Sequence, residues 1–288
     1  EDASADSFSP ASKGWYEVYL NGGVLRTSVD VTLERPMSIG DNGGTLEVAQ
    51  GTVFTHTSTV ETDSMAEGSS GPIVKKGAGV WQMTGEFKAQ SELCIEEGVV
   101  RLGSAKGIGD STAQVRSIAP TEILKNGTLD VAGFNSNVGN FYLRGGSIVD
   151  SSGGGSVGAY TFFAESGTVA VPLTNVICPN GNNYFVANNL VKTSSGTVEL
   201  SAANTFTGTA FVHEGKLLLT GSLAGSCYVD GGTLEGSGSI AGYAYITKNG
   251  ALTATPGAVL SLGDKLAVDG GGTLLVAANA GAVGTFEL

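Results

Sequence analysis

Cationic side chains are scarce: 15 Lys plus Arg stand against 27 Asp plus Glu, giving a formal net charge of -12. That balance repels nucleic acid and anionic lipid, and no basic run reverses it locally, so nucleic-acid partners are not expected. Cysteine is scarcer still. Cys94, Cys178 and Cys227 are odd in number and widely spaced, matching neither a disulfide framework nor a zinc pattern, and the count does not decide the compartment. His56 and His213 are the only histidines. No stretch reaches the roughly 18 consecutive apolar residues of a membrane span, and Glu1 to Pro10 lack the basic and then apolar regions of a signal peptide. The sequence reads as a soluble, internal or processed piece of something longer, which does not itself insert in a membrane. No cofactor or metal motif is found; the Gly-Gly-x-Gly-x-Asp calcium nonapeptide of β-rolls is absent.

Glycine, in contrast, is abundant, with 45 residues, and it punctuates the chain. A cassette recurs as Gly-Thr-Leu-Glu-Val at 44–48, Gly-Thr-Leu-Asp-Val at 127–131, Gly-Thr-Val-Ala-Val at 167–171 and Gly-Thr-Val-Glu-Leu at 196–200. Looser copies begin at Gly98, Gly146, Gly215, Gly232, Gly250 and Gly272. The third residue is apolar in each and the fifth in most, the period of a strand with one buried face. From Gly127 onward the starts fall at 127, 146, 167, 196, 215, 232, 250 and 272, that is 17 to 29 residues apart. A longer repeat overlies this one: residues 73–102 match 190–219 at an offset of 117. Val74 and Val191, Lys75 and Lys192, Gly79 and Gly196, Glu97 and Glu214, Gly98 and Gly215, and Leu102 and Leu219 are identical, with apolar character matched between them.

Units of about 20 residues with one short strand cannot bury a face alone and must stack. The helical 3.6-residue pattern and the leucine-rich framework are both missing. The expected fold is therefore all-β, a parallel β-helix or solenoid of roughly a dozen coils, a rod on the order of 60 Å long at about 4.8 Å per coil. An antiparallel β-sandwich is the alternative, though it does not account for an evenly repeated cassette. Residues 1–70 are weakly patterned, as N-terminal coils or a cap, and 71–288 carry the repeats.

One string invites a chemical reading. Gly40-Asp41-Asn42-Gly43-Gly44 differs by one residue from the Gly-Asp-Ser-Gly-Gly around the nucleophile of trypsin-like proteases. Asn42 is no nucleophile, and His56 follows the string where the chymotrypsin-type order requires a preceding histidine. The string reads as a turn, with Asp41 and Asn42 bonding their own backbone and Gly43 and Gly44 at positive φ.

The stretch 190–242 resembles the autotransporter-associated β-strand repeat of bacterial type V secreted passengers. It has the Leu190-x-Lys192 entry, Gly196 to Leu200, the Asn204-Thr-Phe-Thr-Gly208 turn, Gly215 to Leu219 and Gly231 to Leu234. Residues 71–85, 127–148 and 254–276 are similar to other passenger segments, although Glu86-Phe87-Lys88 replaces the expected turn. The resemblance covers about 71–288. It implies a right-handed parallel β-helix exported through the outer membrane to the bacterial surface or beyond, and it brings no catalytic residue.

Function then divides into classes. An adhesin or structural stalk would meet a host or neighbouring-cell protein or glycan, or a second copy of itself, through loops that interrupt the coils. The segments 149–160 and 174–189 break the rhythm, and Tyr160, Tyr184 and Phe185 are the candidate binding residues there; the competing and more ordinary reading is that they cap or cover the helix wall. A carbohydrate-active β-helix, lyase or hydrolase, would need converging carboxylates. Glu92, Glu96 and Glu97 are the nearest approach, with Glu97 expected in a solvated turn. His213 falls outside the core by alternation. Cys94, in the phase opposite Ile95, is expected as an exposed thiol, and Asn126-Gly127-Thr128 as a turn rather than a glycan acceptor. The third class is self-association through unpaired strand edges.

Overall fold

The computed structural model describes residues 17–62, 71–89, 91–108, 120–176, 188–276, 278–279, 282–283 and 285–287. Among them every regular element is a β-strand. Parallel strands stack as turns of a β-solenoid, about 11 in all. The chain forms two compact units, one of described residues up to Gly139 with Asp150–Gly155, the other of Asn140–Val149, Ser156–Val176 and the described residues from Asn188 onward.

In the first unit three walls recur in fixed chain order. Wall one stacks Val18–Leu20, Met37–Ile39 and Val60–Thr62. Wall two stacks Gly23–Thr27, Gly44–Val48, Ile73–Lys76 and the first halves of Leu93–Leu102 and Thr121–Asp130. Wall three stacks Val31–Leu33, Val53–His56, Val80–Met83 and the second halves of the same two long strands. Gly44–Val48 pairs directly with Ile73–Lys76, so strands on both sides of residues 63–70 share one ladder.

The second unit repeats this order. Its wall two runs through 161–164, Asn189–Lys192, Ala210–Val212, Cys227–Val229, Ala244–Ile246 and Leu266–Val268. Wall three runs through 167–169, Thr197–Leu200, Lys216–Leu219, Thr233–Gly236, Ala251–Ala254 and Thr273–Val276. Wall one runs through Ala203–Asn204, Ser222–Leu223, Ser239–Ile240, Val259–Leu262 and Thr285–Glu287. Among the described residues the antiparallel pairing is confined to Ala278–Asn279 with Ala282–Val283, which excludes the sandwich.

The core follows from the alternation. Val212, Val229 and Ile246 stack in one inner column and Leu217, Leu234 and Leu252 in another, each wholly buried. Burial at about 25 cal/mol per Å² is available to each side chain only through the coils next to it. Most cassettes open wall three, whereas Gly44–Val48 lies on wall two. Its preceding turn is real, closed by Gly43 N–H to the Gly40 carbonyl at 2.9 Å with Gly43 at φ +73°. Two details differ from expectation: Gly44 has no positive φ, and Asn42 donates through both its backbone and side-chain nitrogens to Asn21 Oδ1 in the coil before, at 2.8 and 2.9 Å. Asn126-Gly127 is likewise no separate turn. It lies inside the strand Thr121–Asp130, where the ladder passes from wall two to wall three with a register shift.

The offset of 117 aligns the two units wall for wall and explains its own identities. Lys75 and Lys192 occupy inner positions and are 0% exposed. Lys75 Nζ donates to the carbonyls of Lys76 (2.9 Å), Gly77 (2.6 Å) and Glu97 (3.1 Å). Lys192 Nζ donates to Thr193 (2.7 Å), Ser194 (2.6 Å) and Glu214 (3.1 Å). An ammonium has one proton for each of three acceptors, which is how a buried cation is kept hydrogen-bonded in an apolar column. Burial pushes Lys75 down to about 8, with the Glu97 charge pulling the other way, so it is still mainly protonated at neutral pH. The paired glycines complete the cap. Gly98 and Gly215 sit at φ +75° and +66°. A Cβ would come 2.3 Å from the Gly77 carbonyl oxygen in one and 2.4 Å from that of Ser194 in the other, the very oxygens the lysines bind.

His56 is a second inner polar group, 1% exposed, stacked between Leu33 and Met83. Its Nε2 lies 2.9 Å from the Arg35 carbonyl, which selects the Nε2–H tautomer as donor. Burial lowers its pKa, partly opposed by that bond.

Two expectations follow. Lys75→Met and Lys192→Met each strand three carbonyls and lower the stability of their unit by about 2–4 kcal/mol, read as a shift in denaturant midpoint; a loss under about 0.5 kcal/mol would show that the caps are incidental. For His56, the unfolded side chain takes up a proton near its ordinary value of about 6.5 before the folded one does. Stability is therefore lost as pH falls through that value toward the lower folded one. His56→Leu should flatten this slope in thermal melts between neutral and mildly acid pH.

Candidate binding face

Three triplets occupy wall two of the second unit: Ala210-Phe211-Val212, Cys227-Tyr228-Val229 and Ala244-Tyr245-Ile246. The small and branched residues turn inward, where they are buried, and the aromatic ring is left outside, half-buried. Parallel register then places ring over ring, Phe211 against Tyr228 at 6.0 Å and 59°, and Tyr228 on Tyr245 at 5.2 Å and 18°. The same outer row continues through Val191 to Phe163, which stacks on Tyr142 at 5.1 Å beneath the Arg144 guanidinium. Tyr243, two residues before Tyr245, is 53% exposed.

A charged flank runs beside the rings. His213 stacks on Phe211 at 5.9 Å and 14°, and its Nδ1 lies 2.6 Å from Asp230 Oδ1. The other Asp230 oxygen accepts from Lys248 Nζ at 3.1 Å. Desolvation pushes the Asp230 carboxyl up, but the bonds from His213 and Lys248 outweigh it and hold the acid below its ordinary value. The Tyr245 hydroxyl donates to Asp269 at 3.4 Å, and the charge of Asp269, then burial, raises the phenol pKa. The result is an amphipathic ridge of ring edges, hydroxyls and paired charges. That combination suits contact with a partner surface, since rigid rings give area at low entropic cost while their polar ends remain hydrated.

The residues singled out from sequence fall elsewhere. Tyr160 lies within the strand Ser156–Val169 and is half-buried. Tyr184 and Phe185 lie outside the described residues, as do Cys178 and most of 174–189. The interruption at 149–160 is a short turn between long strands, and its polar groups are engaged. Asp150 accepts from the backbone N–H of Gly133 (2.7 Å), Ser152 (3.2 Å), Gly153 (2.9 Å) and Gly155 (2.7 Å). Desolvation pushes this carboxyl up, and the N–H groups of Gly155, Gly153, Gly133 and Ser152 hold it below the ordinary range nonetheless. Neighbouring Asp130 accepts from Arg101, Ala132 and Ser151.

His213 is on the outside, as alternation indicated. Cys94 is not the exposed thiol expected: it is 8% exposed and directed at Glu122, 3.5 Å away. Its side chain does sit on the outer phase, but the coils on either side cover it, and burial first, then the Glu122 charge, pushes the thiol up to about 12. Glu97 is exposed, yet its backbone carbonyl rather than its carboxylate does the binding, while Glu96 pairs with Lys76 at 3.1 Å. Among the described residues no three His, Cys, Asp or Glu converge as metal ligands. An apolar gap between Phe141, Phe162 and Leu190 measures about 10 Å³, no more than one water could fill. The aromatic row was legible as three small-aromatic-branched triplets 17 residues apart, a spacing carried by 211, 228 and 245. Comparison with family models, with curated proteins and with solved structures finds no match to this chain.

Asp150→Ala should release the 150–155 turn. Each lost charge-assisted bond at this half-exposed site is worth about 1 kcal/mol, so the amides of Gly133, Gly153 and Gly155 should exchange about fivefold faster or more. Unchanged exchange would show that the turn is held by its glycines alone.

Proposed function

We propose that this chain is a non-catalytic β-solenoid segment that works as an adhesive or structural surface outside a bacterial cell, with the wall-two aromatic ridge as its contact face. The observation that carries this reading is the in-register row Phe211, Tyr228 and Tyr245 on the outer side of one wall. Elsewhere the exterior is arranged as ion pairs between neighbouring coils, such as Arg26 with Glu47, Arg101 with Asp130 and Lys216 with Glu235. Such pairs are screened at the surface and contribute little to a partner interface, whereas clustered Tyr and Phe are the side chains that binding energy favours. Export as a passenger of type V secretion is proposed on the repeat motif at 190–242. The partner is a protein or glycan of a host or neighbouring cell.

The carbohydrate-active alternative has less support, because the charged groups brought together on this ridge, His213, Asp230 and Lys248, already satisfy one another at the surface. The test is a glycan and extracellular-matrix array probed with the protein and with a Phe211→Ser/Tyr228→Ser/Tyr245→Ser variant that keeps its far-ultraviolet spectrum. A ligand whose binding weakens at least about tenfold in the variant, the effect of losing about 1.4 kcal/mol of contact, supports the ridge. Release of reducing ends or unsaturated products from any polysaccharide on the array would establish an enzyme instead.

A further inference from the structure

The rings of the ridge cover one another's faces. Tyr228 lies on Tyr245 at 5.2 Å and 18°, Phe211 carries the His213 imidazole at 5.9 Å and 14°, and Phe163 lies on Tyr142 at 5.1 Å and 9°. A sugar packs its C–H groups on an open aromatic face, and this stacking leaves little such platform along the row. What the row turns outward is ring edges and hydroxyls, one rung to a coil, at a spacing of about 4.8 Å. An extended partner strand presents like-facing side chains only every ~6.7 Å, so it meets one rung and slips from the next. A second solenoid repeats at the coil spacing and meets every rung alike. The row is also where like-charged copies repel least: Phe211, Tyr228 and Tyr245 are uncharged and Asp230 is paired with Lys248, on a chain of net charge -12.

We infer that the occupant of the ridge is a second copy of this chain, wall two laid face to face on wall two in a two-fold dimer; the inference rests on the ridge being the contact face. Sheets packed in this way stand about 10 Å apart, with rings of both sides interdigitated between them. The rungs Phe163, Val191, Phe211, Tyr228 and Tyr245 are joined in register. Five such coils with strands and flanks about 20 Å wide offer roughly 500 Å² per copy, which brings a two-copy contact near the ~1,000 Å² of a specific but weak interface. Charge selects the orientation. With the two-fold axis along the stacking direction, facing strands run in opposite directions, so the flank preceding a strand in one copy meets the flank following it in the other. Tyr243 precedes and Lys248 follows the strand Ala244–Ile246, and both side chains are exposed, by 53 and 66%. Each Lys248 ammonium then meets the Tyr243 ring of the other copy, twice per dimer. With the axis across the stacking direction, like flanks would meet and Asp230 would face Asp230 beside Tyr228. The first arrangement is isologous and closes at two copies.

Sedimentation equilibrium of the purified chain tests it, with the ring variant Phe211→Ser/Tyr228→Ser/Tyr245→Ser and two exposed single variants, Tyr243→Lys and Lys248→Glu. The wild type should show a reversible monomer–dimer equilibrium with no larger species, and the ring variant should stay monomeric. Each single variant should dimerise about tenfold more weakly, the effect of losing two cation–ring contacts per dimer. An equimolar mixture of the two should dimerise more tightly than either alone, because Lys at 243 of one copy then meets Glu at 248 of the other while the second contact stays as in wild type. The single variants keep the test decisive should the ring variant not fold. A wild type that is monomeric at every concentration up to millimolar, a dimer indifferent to the ring variant, a mixture no tighter than its components, or masses that grow beyond two copies would each overturn the inference. A monomeric wild type that still binds an array ligand through the rings would leave the ridge as a contact face and remove only the second copy as its occupant.

Discussion

Every coil of this protein depends on its neighbours for a core. A circuit of about 20 residues encloses one layer of side chains, and such a layer is dry only when another lies above and below it. The in-register columns and the aliphatic inner rows are consequences of that single constraint. It also sets what a polar inner residue must do. Lys75 and Lys192 can stand in an apolar column because their stems fill it and their ammonium groups reach three carbonyls at a corner of the coil. Each cap takes one carbonyl from the following coil, Glu97 or Glu214, and so ties two layers together.

The same register that builds the inside decorates the outside. Strands that pair in parallel place equivalent residues one above another, so any choice repeated from coil to coil becomes a stripe. Charged choices give the rows Arg26 with Glu47 and Lys216 with Glu235. Aromatic choices give Phe211, Tyr228 and Tyr245. An aromatic face is thus obtained at no cost to the core, because outer positions are free to vary while the inner ones keep their size and polarity.

Much of the architecture was legible in the sequence for this reason: the Gly-led cassettes and the offset of 117 are the chemical record of the stacking. Legibility failed where a local pattern has two structural outlets. Gly44-Thr-Leu-Glu-Val reads like the other cassettes yet opens a different wall, since a glycine followed by alternating apolar residues suits any corner. Cys94 obeys the alternation and is nevertheless buried, because phase specifies which side a residue faces and not what covers that side. The lysine caps were visible as identities but not as inner groups, although Ile73-Val74-Lys75 places the cation in the same phase as a buried isoleucine. The turn at 150–155 showed the opposite bias: serines and glycines looked adaptable, while one aspartate gathers their amides into a fixed loop.

Parallel, in-register stacking is the claim on which all of this rests, and cysteine pairs at outer positions test it most directly. Glu199 and Leu218 are register partners on wall three. Parallel neighbours lie about 4.8 Å apart, within the Cα separations a disulfide spans. Glu199→Cys/Leu218→Cys should therefore crosslink in nearly full yield under mild oxidation. Glu199→Cys/Lys216→Cys, displaced by two residues along the same face and separated by about 8 Å, should not. Equal crosslinking of both pairs, or of the displaced pair alone, would contradict the register and with it the columns, the caps and the aromatic row.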